Sequence, residues 1–117
     1  MSRTILIVED NPAVVATMKS ILELEGYKVH TASNGAEGIE MLKKIGNACV
    51  VLLDMMMPVM NGWHFLDFQR NQAEYRDIPV VVVSAFGEIA RSVKPDVFIP
   101  KPVQLDALLS AVQKYCA

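Results

Sequence analysis

VVLLDMMMPVMNG (residues 50–62) opens on four apolar residues, meets a single carboxylate at Asp54, and then passes into methionine, proline and glycine. With Cys49 in front, the run CVVLL (49–53) is apolar on both faces, the pattern of a central strand in a parallel sheet. A charge at the mouth of such a strand costs free energy unless something pairs with it. The flanking chain therefore has to supply the partner.

On either side of this stretch, short β-rich runs alternate with helical patterns. ILIV (5–8) reads as a strand, and Asn11 followed by Pro12 reads as a helix start, with Val14, Met18, Ile21 and Leu22 on one face and Gly26 at the end. YKVHTA (27–32) is a second strand, and Asn34-Gly35 turns into a helix with Ala36, Ile39, Leu42 and Ile45 inward. After Asp54, Asn61 can cap a helix from about Gly62 to Ala73, VVVV (80–83) is another two-faced strand, and VFI (97–99) a fifth. A last helix sets Leu105, Leu108, Leu109, Val112 and Cys116 on one stripe. Five strand–helix units in sequence imply a parallel sheet with helices on both faces.

The 117 residues suffice for one domain, expected to span residues 1–117. A formal charge of −2 argues against a nucleic-acid surface, and no apolar run approaches a membrane span. Cys49 and Cys116 have neither metal-ligand spacing nor the look of a disulfide framework. Both read as buried inert thiols, pointing to a reducing, cytoplasmic compartment.

In an open α/β sheet, ligands bind beyond the carboxyl ends of the strands, where the strand order reverses. The first strand ends in Glu9-Asp10, the third in Asp54, the fourth in Ser84-Ala85 and the fifth in Pro100-Lys101-Pro102. Two carboxylates at about 5 Å repel by roughly 3 kcal/mol at an effective dielectric of 20. Three acids therefore call for a cation, either Lys101 or a hard divalent ion; Mg²⁺ suits, because it takes one or two carboxylates and accepts phosphate oxygens. An ionised aspartate in that company can act as a nucleophile toward a phosphoryl group. Mg²⁺, Lys101, Ser84 and backbone N–H groups would neutralise the transferred charge.

These residues carry a resemblance. VED at 8–10, DMMMPVMNG at 54–62, VSA at 83–85 and FIPKP at 98–102, in order and each at a strand end, make the chain similar to a response-regulator receiver domain from Ile5 to about Tyr115. The resemblance implies a flavodoxin-like doubly wound sheet, order 2-1-3-4-5, and a phosphoryl group accepted on Asp54 from a histidine kinase or histidine phosphotransfer protein. It implies Mg²⁺ held by Asp10 and Asp54 through side chains and by Met56 through its carbonyl, with Glu9 acting through a metal-bound water. Ser84 resembles the switch hydroxyl and Phe98 the aromatic that follows it. Lys101 resembles the residue that holds a phosphoryl oxygen, with a cis bond to Pro102. Two departures are visible. The segment between Ser84 and Lys101 is short by about one helical turn and contains Pro95, so the fourth helix, around Glu88–Val93, is expected to be short or irregular and the chain a monomer. Phe98 also lacks the hydroxyl of a tyrosine, so its switch would rest on packing.

Met55, Met56, Met57 and Met60 read as loop packing, although Met56 and Phe86 could flank the path of an attacking water and slow loss of the phosphoryl group. An aspartyl-phosphate phosphatase would need an acid two residues after the nucleophile, where Met56 stands. A flavin carrier would need a hydroxyl- and glycine-rich cradle that EDNPAVV lacks. A degenerate docking receiver is opposed by the full set Asp10, Asp54, Ser84 and Lys101. The expectation is a stand-alone receiver, not an enzyme beyond its own phosphoryl transfer and loss. With nothing after Ala117, it would signal by contact with a downstream protein, unless the chain is a piece of a longer regulator.

Overall fold

The computed structural model describes residues 3–57 and 61–116. Pro58 of the third-strand motif and Met60 of the methionine cluster lie outside them. The elements alternate as expected: β1 Thr4–Val8, α1 Pro12–Leu24, β2 Lys28–Ala32, α2 Gly35–Ile45, β3 Val50–Leu53, α3 Gly62–Asn71, β4 Val80–Ser84, α4 Gly87–Ser92, β5 Val97–Pro100 and α5 Leu105–Tyr115. All strand pairings are parallel and the order is β2-β1-β3-β4-β5. This is the flavodoxin-like doubly wound sheet, with its switch point between β1 and β3.

The two-residue period of the strands divides the core in two. Ile5, Ile7, Val50, Leu52, Val81 and Val83 face one side, where they meet Met18 and Leu22 of α1 and Leu108 and Val112 of α5. Leu6, Val8, Val51, Leu53, Val80 and Val82 face the other, against Leu42 of α2 and Phe65 and Leu66 of α3. Asn11 and Asn61 cap their helices as read, and Asn34, read as part of a turn, caps α2 as well, each side-chain oxygen accepting backbone N–H groups of the first turn.

Four details differ from the sequence reading or sharpen it. Helix α3 stops at Asn71 instead of reaching Ala73, because Gln72 is extended and a separate turn follows. The buried Gln69 amide donates to the carbonyls of Tyr75 and Ile78 and draws that turn onto the sheet. Leu105, assigned to the inward stripe of α5, is 53% exposed at the helix's first residue. Helix α4 is short, with six residues, and Lys94 just beyond it takes φ 51° before Pro95. Finally, Cys49 and Cys116 are not two inert thiols: they form a disulfide with a Cα–Cα distance of 5.4 Å. Sixty-seven residues separate them, and only the folded sheet brings the start of β3 to the end of α5. Paired in this way, the two cysteines do not point to a reducing compartment. No helix among the described residues is long and apolar enough to cross a membrane.

Candidate functional site

The carboxyl ends of β1, β3, β4 and β5 converge, and the ladder holds each site residue at or just past the end of its strand. Glu9 donates its N–H to Ala32 O, Asp54 to Val8 O at 2.9 Å, and Lys101 to Ser84 O at 3.0 Å. Such backbone pairing keeps the side chains on rigid supports although none of these three lies within a strand. Gly62 completes the approach from the far side. A Cβ there would stand 2.7 Å from both Met55 Cα and Met55 Sδ and 3.0 Å from Asp54 O, so only glycine lets α3 begin against the end of β3.

Glu9, Asp10, Asp54, Met56, Ser84 and Lys101, all expected site residues, line one cavity of about 250 Å³. Glu9, Asp54 and Ser84 are buried, at 2%, 5% and 1% exposure, whereas Asp10 faces solvent. The Lys101 ammonium lies 2.7 Å from Glu9 Oε1 and 3.4 Å from Asp54 Oδ2, so the lysine pairs two carboxylates at once. Asn11 N–H donates to Glu9 Oε2, Met56 N–H to Asp54 Oδ1, and Phe86 N–H to Ser84 Oγ, each at 3.1 Å. The Lys101–Pro102 bond is cis. Phe98 stands apart from the cavity on β5, half-buried against the core of the α2–α3 side.

The electrostatics carry an imbalance. Burial pushes the Glu9 pKa up to about 7; Lys101 and the Asn11 N–H oppose the rise, and the Asp54 charge adds to it. Burial lowers the Lys101 pKa, but its contacts with Glu9 and Asp54 outweigh that and hold it above the ordinary lysine value. One ammonium thus faces three acids, and a proton held on Glu9 or a further cation reduces the excess. Oxygens of Glu9, Asp10 and Asp54 lie within 4.8 Å of one another. Buried Glu9 Oε1 has no aligned hydrogen-bond donor, only the ion-pair contact with Lys101. Three carboxylates offering oxygen ligands, one with an under-used buried acceptor, fit a hard metal ion.

Asn11 was legible only as a helix cap. Its backbone N–H also fixes Glu9, a role hinted at by nothing more than its position two residues on. Phe86 and Met56 form the cavity's apolar rim, at 56% and 48% exposure.

Residues 5–113 match the family model described as the response regulator receiver domain. The Staphylococcus aureus (strain NCTC 8325 / PS 47) transcriptional regulatory protein SrrA is 35% identical over 107 residues, covering 87% of this chain and 43% of that one. The chain therefore spans less than half the length of this curated relative. Among solved structures, the receiver domain of a signal transduction histidine kinase from Syntrophus aciditrophicus superposes with a TM-score of 0.86 at 31% identity, covering 97% of this chain and 89% of that one. The Vibrio cholerae chemotaxis response regulator CheY4 superposes at 0.87 with 25% identity over 98% and 99% of the two chains.

Proposed function

The chain belongs to the response regulator receiver family of two-component signalling, and on that premise we propose that it is switched by a phosphoryl group accepted on Asp54. The observation that carries this reading is the Asp54 carboxylate itself. It is 5% exposed at a rigid strand end, with Lys101 Nζ 3.4 Å from Oδ2 and the Ser84 hydroxyl on the wall of the same cavity. An Asp54 oxygen attacks the phosphorus of a phosphohistidine, a P–O bond forms, and the P–N bond to the donor imidazole breaks. Lys101 moves from its carboxylate partners to a phosphoryl oxygen, and Ser84 turns its hydroxyl to another. Asp10, Asp54, the Met56 carbonyl and Glu9 would hold Mg²⁺, whose chemistry is neutralisation of the phosphoryl oxygens' charge.

The donor is a histidine kinase or a histidine phosphotransfer protein. An apolar groove of about 500 Å³ beside Lys101, lined by Val14, Thr17 and Met18 of α1 and by Val103 and Leu108, supports a docking helix there. Output is contact with a downstream protein, with no direct nucleic-acid or membrane contact, by a monomer whose six-residue α4 offers little dimer surface. Because such donors are charged from ATP, the site works in the cytoplasm. The chain catalyses nothing but its own phosphoryl gain and loss. Phosphorylation shifts conformation only by the difference in contacts between states, which arises at Ser84 and Lys101 and is passed on by Phe98 packing.

Intact mass after incubation with acetyl phosphate tests this. A gain of one phosphoryl group that requires Mg²⁺ and vanishes in Asp54→Asn is expected. A folded protein that gains nothing would favour a receiver that only docks.

A further inference from the structure

At the pole of the sheet opposite Asp54, Cys49 and Cys116 lie in unlike surroundings. Cys116, the residue that caps α5, is 1% exposed in the α1–α5 core, and its N–H donates to Val112 O at 2.8 Å. Cys49, just before β3, is half-buried and lies on the wall of a polar hollow of about 540 Å³ shared with Arg76, Asp77, Asp96 and Tyr115. One sulfur of the disulfide is therefore sealed in the core, and the other belongs to a residue that an aqueous reagent can approach.

We propose that Cys49–Cys116 is a reversible thiol–disulfide exchange site for low-molecular-weight thiols, entered at Cys49 from this hollow, and that its state fixes or frees the C-terminal turn of α5. A thiolate RS⁻ attacks Cys49 Sγ, the Cys49–Cys116 bond breaks, and the electron pair leaves on Cys116, which takes up a proton. A second thiolate then attacks the reagent's sulfur, forming RSSR and releasing Cys49 as a thiolate that is protonated in turn. The balance is two electrons and two protons from two thiols. Attack in this direction keeps the incoming group out of the core.

The fold accommodates both states. In the reduced form the Cys49 thiol has an acceptor in place, since its Sγ lies 3.3 Å from the Thr4 carbonyl oxygen. Cys116 behaves there as a small apolar side chain beside Leu108 and Val112. Once the link opens, the last turn of α5 loses its one covalent tie among the described residues and keeps its own hydrogen bonds and the packing of Ala111, Val112, Tyr115 and Cys116 on the core. Helix ends held so lightly fray. The groove beside Lys101 shares this helix at Leu105 and Leu108, so the thiol state also bears on the wall against which a partner would dock.

The test uses the whole chain in its two redox states. Air-oxidised protein should take no iodoacetamide under native conditions and two equivalents after dithiothreitol in denaturant. Brief exposure to reduced glutathione, quenched with acid and mapped by peptide mass, should place the mixed disulfide on Cys49. Amides of residues 112–116 should then exchange at least tenfold faster in the reduced protein, with those of β1 and β3 unchanged. Alkylation without reductant would overturn the proposal, as would glutathione found on Cys116 or equal exchange of the α5 end in both states.

Discussion

At Glu9, burial and the Asp54 charge raise a carboxyl that Lys101 and Asn11 pull back down, leaving its pKa at about 7 against 4.5 for the free group. The folded protein then binds a proton that the unfolded chain has released, so without metal the stability falls as pH rises from about 4.5 to about 7. The size is of the order of 1–3 kcal/mol. Denaturant melts across that range should show the slope, and Glu9→Gln should flatten it. A Mg²⁺ ion held by the proposed site would compete with protons for these oxygens, so its apparent affinity should weaken as pH drops below about 7. Met56 and Phe86 bear on how long a phosphoryl group would last on Asp54 under the proposed function. Neither apolar side chain can orient a water for attack, so a half-life of minutes or longer is expected, and Met56→Asn should shorten it about tenfold. Loss within seconds in the wild-type protein would contradict this account of the rim.

Element by element, the ends of the strands do most of the positioning, and they were the part best read in advance. Two-faced apolar runs at 50–53 and 80–83 and the asparagine caps Asn11 and Asn61 have local causes, so the sheet order and the convergence of Glu9, Asp10, Asp54, Ser84 and Lys101 were legible. Contacts between distant elements were not. Gly62 looks like a helix start until Met55 Cα appears 2.7 Å from where a Cβ would stand. Gly62→Ala should cost roughly 1–3 kcal/mol in a thermal or denaturant melt, by forcing α3 away from the Asp54 loop, and should slow phosphorylation. Arg70 is another such case. From α3 it donates to Val93 O at 2.6 Å and to Lys94 O at 3.3 Å, capping the shortened α4 and the left-handed residue behind it. Arg70→Ala should speed amide exchange in residues 89–94 while changing global stability by about 1 kcal/mol or less.

Over the whole molecule, the sequence hid one covalent fact, because a pairing across 67 residues has no local signal. Closing a loop of that length removes denatured-state entropy worth about 4 kcal/mol in the chain-entropy description. Reduction should therefore lower the melting temperature by more than about 10 °C, and a shift near zero would mean the link adds nothing to the fold. The disulfide and the acidic cavity sit at opposite poles of the same sheet, one holding the end of α5 and the other the strand ends that present Asp54. The proposed phosphorylation belongs to the second pole, and borohydride trapping locates it residue by residue. Hydride reduction converts an aspartyl phosphate to homoserine, which peptide sequencing by mass places on the chain. After phosphorylation with Mg²⁺, homoserine is predicted at position 54 and nowhere else; homoserine at Asp10, 5-hydroxynorvaline (the alcohol from a glutamyl phosphate) at Glu9, or neither in a protein that has gained a phosphoryl group, would contradict phosphorylation on Asp54.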